Sequence, residues 1–297
     1  MDVQAKRNFR LVLEYDGTNY HGWQRQHGML TVQEAVESRL EIMLGNPIKV
    51  RASGRTDAGV HARAQEVNFY ARTRLQPVEI QRGLNALLPD DIVILAAVEV
   101  EDSFHARFSA RSKIYEYRIL NRPVRSALER HYAWHIRRPL AIAPMLECLG
   151  TILGEHDFAA FMASGSEVRS TVRCLYRAEL LLPDADHLLF VFEGNGFLRQ
   201  MVRNLVGTIV EVGKGRLSPE DVRRILSSRD RRQAGMTAPA RGLSLVRVVY
   251  PDEEVGIRSI GPPEAQRGGF LRTRPEQGAC RLQQLGMRPS MSIPGRE

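Results

Sequence analysis

Cysteine and lysine are both scarce in this chain, with three of the former and four of the latter among 297 residues. Cys148, Cys174 and Cys280 are odd in number, widely spaced and form no CxxC pair. That excludes a disulfide framework and signals no zinc site, so reduced thiols are expected. No run nears the roughly 18 apolar residues of a membrane span, and no apolar leader-like segment precedes Phe9. A cytoplasmic protein without membrane attachment is the expectation. Lys6, Lys49, Lys113 and Lys214 are the only lysines, so 38 of the 42 basic residues are arginines. Against 34 acidic residues they give a formal net charge of +8, which points to a polyanionic partner such as nucleic acid. Guanidinium groups suit phosphate forks and base stacking. A GC-rich genome explains the arginine excess equally well, but not the net charge. At 43% hydrophobic and 26% charged residues, the chain is neither disordered throughout nor fibrous.

Periodicity divides the chain into two similar halves. Arg10 to Tyr15 alternates as a strand, and Thr31 with Glu34 signals a capping box that opens a helix running to Gly45. Strand-like runs at 48–52 and 65–70 flank a Gly-containing loop. Pro77 can open a helix to Leu88, and a buried strand spans 91–100. The order β-α-β-β-α-β then returns with strands at 113–120, 172–182, 188–192 and 243–250, and helices at 142–153 and 197–212. An extra helix is capped by Ser218 and opened by Pro219. The expected fold class is α+β, two ferredoxin-like units with antiparallel or mixed sheets. Expected boundaries are 1–108 for the half bearing the Gly-rich loop, 109–251 for the half completing the site, and 252–297 for a flexible tail. That last segment carries twelve Gly or Pro in 46 residues without periodicity.

The chemistry concentrates in Gly54-Arg-Thr-Asp-Ala-Gly-Val-His61, between two strands. An aspartate in such a turn is ordinarily an Asx turn or a cap. Here the glycines and small neighbours leave the Asp57 carboxylate room to meet a ligand, and Arg55 lies two residues away to hold it ionised. An ionised, desolvated aspartate serves as nucleophile or base. Tyr115 and Tyr117 fall on one face of a strand, and either ring suits packing or base stacking. Arg199 and Arg203 lie four apart in a mostly apolar helix. Arg203 needs an anionic partner there unless it snorkels to solvent, and Asp57 is the candidate. Gly213-Lys-Gly215 lacks the P-loop's first glycine and its Ser or Thr, and Gly194-Asn-Gly196 lacks the third glycine of a dinucleotide fingerprint. The histidines show no metal-ligand spacing. No cofactor and no metal is indicated.

At these residues the chain resembles the tRNA pseudouridine synthase A family, from about Phe9 to Pro251. The resemblance is carried in order by Tyr15-Asp-Gly-Thr-Asn-Tyr-His-Gly-Trp-Gln-Arg-Gln26, Gly54–His61, Phe104-His-Ala-Arg-Phe-Ser-Ala110, Tyr115-Glu-Tyr117, Met201-Val-Arg-Asn-Leu-Val-Gly207 and Thr237-Ala-Pro-Ala-Arg-Gly-Leu243. Ala64, where glycine is common, Glu66 in a usually apolar strand, and the tail after Pro251 depart from it. The resemblance implies a pseudouridine synthase fold with a basic central cleft. It further implies isomerisation of uridine to pseudouridine in the anticodon stem-loop of tRNA, at positions 38 to 40, by a homodimer without cofactor. It makes Asp57 the catalytic aspartate, Arg55 its neighbour in base flipping, Tyr115 the base-stacking ring, Arg203 the arginine paired with the aspartate, and Leu243 a pocket wall. The alternative from another class is a non-catalytic RNA-binding or RNA-folding protein using the same cleft. A glycosidic hydrolase is remoter, because no second carboxylate accompanies Asp57.

Overall fold

The computed structural model describes residues 5–166 and 168–251; the expected tail at 252–297 lies outside the described residues. The first half runs β1 (Arg7–Tyr15), α1 (Val32–Leu44), β2 (Arg51–Ala52), β3 (His61–Ala71), α2 (Pro77–Leu87) and β4 (Ile92–Val100). The second runs β5 (Ser112–Asn121), β6 (Trp134–Ile136), α3 (Ile142–Thr151), β7 (Gly154–Asp157), β8 (Val172–Leu181), β9 (His187–Gly194), α4 (Met201–Gly213), α5 (Pro219–Ser228) and β10 (Leu243–Val249). Local chemistry sets the helix ends. Thr31 Oγ1 accepts from the Glu34 amide, and Gly45 closes α1 at φ 72°, a conformation glycine adopts without steric cost. The Glu34 carboxylate turns to Arg25 at 3.3 Å. At α5, Ser218 and Asp221 complete a reciprocal capping box around Pro219.

Each half orders its strands alike. In the first, β4-β1-β3-β2 are antiparallel neighbours, and in the second β10-β5-β9-β8 are. The fold is α+β, built from two ferredoxin-like units. Their sheets fuse where β10 runs parallel to the start of β3, pairing Ser244 with His61 and Leu245 with Ala62. One continuous apolar core extends through both halves. The seam places the turn before β3 beside the first residue of β10 and, across β10, beside β5.

Three sequence expectations shift. The strand expected at 48–52 shrinks to Arg51–Ala52, while β3 begins at His61 rather than Gln65. Gln65, Glu66 and Asn68 are all buried in β3, which hides its strand pattern. The helix expected from Phe197 starts at Met201, because Gln200 takes a left-handed φ of 62° that ends any helical run before it. Arg199 therefore lies outside α4, and its guanidinium donates to the Ser164 carbonyl instead.

Glu66 has a specific partner. Arg10 donates to it through Nε at 2.7 Å and Nη2 at 2.8 Å, and both side chains are buried. The Arg10 guanidinium also lies over the Tyr250 ring, 4.5 Å from its centroid. Replacing one partner leaves a desolvated charge without its counter-ion, which typically costs about 3–5 kcal/mol. Glu66→Ala is expected to lose that much stability in urea unfolding, whereas a loss below about 1 kcal/mol would contradict the pairing.

Candidate active site

Asp57 lies in the turn that delivers the chain into β3, and the segment from Tyr15 to Trp23 braces that turn from outside. Val60 donates its amide to the Asp57 carbonyl, Gly59 to Tyr20, and Trp23 to Thr56. Tyr15 Oη and Thr56 Oγ1 share a 2.8 Å hydrogen bond. Behind the turn, the Gln65 carboxamide accepts from Ser53 Oγ and donates to the Gly54 carbonyl. Gly22 sits at φ 85°, and a Cβ there would fall 2.6 Å from the Thr56 carbonyl oxygen and 3.0 Å from the Asp57 carbonyl carbon. Gly22→Ala is expected to strain both its own backbone and the Asp57 turn. It should lower turnover by an order of magnitude or more while substrate affinity changes less; unchanged turnover would show that the turn tolerates displacement.

Arg203 reaches this turn from α4. Its Nη1 donates to Asp57 Oδ2 at 2.9 Å, and its Nε to the Ala238 carbonyl at 2.8 Å. The ion pair is screened but reachable, with side-chain exposures of 14% for Arg203 and 24% for Asp57. An interlock between α4 and the segment before β10 fixes the arginine. Asn204 Oδ1 accepts from Thr237 Oγ1 and from Arg231, and the Ala238 amide returns to the Arg203 carbonyl. A Cβ at Gly207 would fall 1.7 Å from the Met236 carbonyl oxygen, so only glycine permits this approach. Asn204, Gly207 and Thr237 thus serve the site by placing Arg203. Their only signal in the sequence was membership of the last two matching segments.

Strand register brings the remaining groups alongside. Tyr115 and Tyr117 of β5 pair with Leu245 and Leu243 of β10. Tyr117 is sealed, its hydroxyl donating to the Pro239 carbonyl at 2.8 Å. Tyr115 packs edge-on to Phe197, with centroids 5.0 Å apart, and among the described residues its hydroxyl has no hydrogen-bond partner. Burial pushes that phenol upward, reinforced by the negative charge of Asp57 nearby. Leu243 is buried at the start of β10. Arg55 is exposed, and no ion pair joins it to Asp57 among the described residues. The charge facing the carboxylate thus comes from Arg203, 146 residues later in the chain, rather than from the sequence neighbour.

A second cation approaches the turn. Lys113 Nζ lies 3.2 Å from the position a Cβ would take at Gly54. Burial, followed by repulsion from Arg107 and Arg173, lowers its pKa from 10.5 to about 8. A lysine with a depressed folded pKa destabilises the fold while it is charged, and the penalty fades as pH rises from the folded toward the unfolded value. The shift corresponds to about 3 kcal/mol before allowance for residual solvent contact. Lys113→Met is therefore expected to melt higher than the parent at pH 7, with the two converging by about pH 10.5. A lower melting temperature for the variant at pH 7 would contradict this.

Among the described residues, no three of His, Cys, Asp and Glu gather as metal donors would, and no helix is long and apolar enough to cross a membrane. The site is a carboxylate gripped by a guanidinium beside an aromatic ring, at the seam of a duplicated sheet. The family described as tRNA pseudouridine synthase matches this chain over residues 11–109 and again over 151–251, one span in each half. The chain belongs to that family. Among its relatives is the tRNA pseudouridine synthase A of Thermoanaerobacter sp. (strain X514), 45% identical over 82% of this chain and 100% of that protein. The tRNA pseudouridine synthase A of Geotalea uraniireducens is 46% identical over the same shares. An archaeal box H/ACA sRNP Nop10-Cbf5 complex overlays only loosely, with a TM-score of 0.34, 15% identity, and coverage of 82% of this chain and 50% of that one.

Proposed function

We propose that this protein isomerises uridine to pseudouridine in tRNA, in the anticodon stem-loop at positions 38 to 40, with Asp57 at the reacting nucleoside. The Asp57–Arg203 pair, set beside Tyr115 at the β3–β10 seam, is the observation that carries the reading. The reaction breaks the N1–C1′ bond, turns the uracil, and joins C5 to C1′. C5 sheds its hydrogen as a proton and N1 takes one up, so nothing is oxidised and no atom is lost. Asp57 serves as nucleophile toward the nucleoside or as base toward a sugar proton.

The target base must first leave its stack, at a cost of a few kcal/mol. Stacking on Tyr115 and apolar contact with Leu243 offset that cost and hold the detached uracil. The exposed Arg55 meets RNA near the turn. The tRNA backbone gains further from the protein's positive charge, so affinity should fall steeply as salt rises. Dimerisation follows from the family resemblance, and light scattering tests it directly. A tRNA substrate supports a cytoplasmic location. The functional test is incubation of excess protein with unmodified tRNA, followed by nucleoside analysis and site mapping. Pseudouridine at positions 38 to 40 is expected. Tight binding without any pseudouridine would instead favour the non-catalytic RNA-binding reading, and released uracil would favour a hydrolase.

A further inference from the structure

Lys113 Nζ lies beside Gly54, Arg107 and Arg173 are close enough to repel it, and none of the three has an anionic partner among the described residues. Arg173 reaches this place from β8, its Nη1 anchored on the carbonyls of Ser170 and Val172 at 2.9 and 2.6 Å, and its Nε close to Gly196. Arg107 reaches it from the loop before β5. Other buried or half-buried cations are paired with carboxylates, among them Arg10–Glu66, Arg203–Asp57 and Lys214–Glu211, while Arg231 is held by four neutral acceptors. A half-buried lysine near the half-buried Arg173 and the exposed Arg107 is repelled unless an anion lies between them. Among the described residues the fold supplies none there.

The position gives that anion an identity. Lys113 and Tyr115 are two residues apart on β5, so their side chains leave the same face about 7 Å apart. Gly54 is three residues before Asp57, so Lys113 flanks the carboxylate's turn. We propose that Lys113, Arg107 and Arg173 form a phosphodiester site that takes the RNA backbone phosphate adjoining the nucleotide seated on Tyr115. This rests on the reading that the substrate is RNA. Such a contact fixes the nucleotide by its backbone while the base turns, which is what an isomerase that detaches the base requires. Lys113 acts here as a positioning residue.

The test pairs Lys113→Met and Lys113→Arg with stem-loop RNAs that carry a single uncharged methylphosphonate at one of the phosphates flanking the target uridine. Affinity is read by titration, and pseudouridine formation by the parent protein is read on the unmodified stem-loop. Lys113→Met is expected to bind the unmodified RNA about tenfold more weakly, and its log–log salt dependence to be shallower by about 0.7–0.9, the loss of one phosphate contact. Lys113→Arg should recover most of the affinity. One methylphosphonate position should weaken the parent about tenfold yet add nothing on Lys113→Met. Equal affinity of parent and Lys113→Met, or losses that multiply at every methylphosphonate position, would overturn the site. If the parent forms no pseudouridine on the unmodified stem-loop, the reaction assignment fails, whatever the binding data show. A melting temperature for Lys113→Met at or above the parent's separates lost binding from lost folding.

Discussion

Asp57→Asn is expected to abolish pseudouridine formation, lowering the single-turnover rate at least about 10⁴-fold, the scale on which loss of an essential base or nucleophile is felt. The substitution keeps the shape of the side chain and retains an oxygen to accept from Arg203 Nη1, so the turn should survive. Affinity for tRNA should change by no more than a few fold, because the phosphate contacts come from arginines and lysine. The variant should also fold with stability close to the parent's. Mass-spectrometric counting of pseudouridine in treated tRNA reads the rate, and filter binding reads the affinity. Residual turnover within tenfold of the parent would remove Asp57 from the chemistry.

Arg203→Met carries the second large effect. The guanidinium bridges two groups from different parts of the chain, the Asp57 carboxylate and the Ala238 carbonyl. Methionine keeps the aliphatic bulk and supplies neither donor. A fall of about 10²–10³ in rate is expected, comparable to removing one preorganised electrostatic contact from an active site. Stability should fall by about 1–2 kcal/mol, less than for a fully buried pair, because Asp57 retains solvent contact. Arg203→Lys should recover only part of the rate, since an ammonium cannot hold both acceptors in one rigid fork. Combining Arg203→Met with Asp57→Asn should cost little beyond Asp57→Asn alone, because both changes disable one unit. Fully multiplicative losses would mean that the two residues act independently.

The sequence made some of this legible for identifiable reasons. Helix α1 announces itself through Thr31, its apolar spacing and Gly45, all local features, and α5 does so through Ser218 and Pro219. The Asp57 turn stands out because its glycines and small residues punctuate two apolar runs. Arg203 was traceable to Asp57 because a guanidinium on an apolar helix demands a counter-charge. What sequence did not disclose depends on contacts across the chain. The start of β3 was hidden because Gln65, Glu66 and Asn68 are buried there. Their partners, Ser53, Arg10 and Asn8, lie on other elements. The start of α4 was misplaced because nothing about Gln200 advertises a left-handed backbone. Local logic also assigned to Arg55 a charge contact that the fold gives to Arg203 alone among the described residues. Short strands such as β6 and β7 exist because a neighbouring strand accepts them, and they carry too few residues to show a period.

In the proposed reaction an extruded uridine comes to rest between the Tyr115 ring and the Asp57 carboxylate. That placement is tested most directly by the structure of Asp57→Asn bound to unmodified tRNA. One anticodon-arm uridine is expected out of its stack, with its base against Tyr115 and its sugar within reach of residue 57. RNA density that leaves this turn vacant, with every uridine stacked or inserted elsewhere, would contradict it.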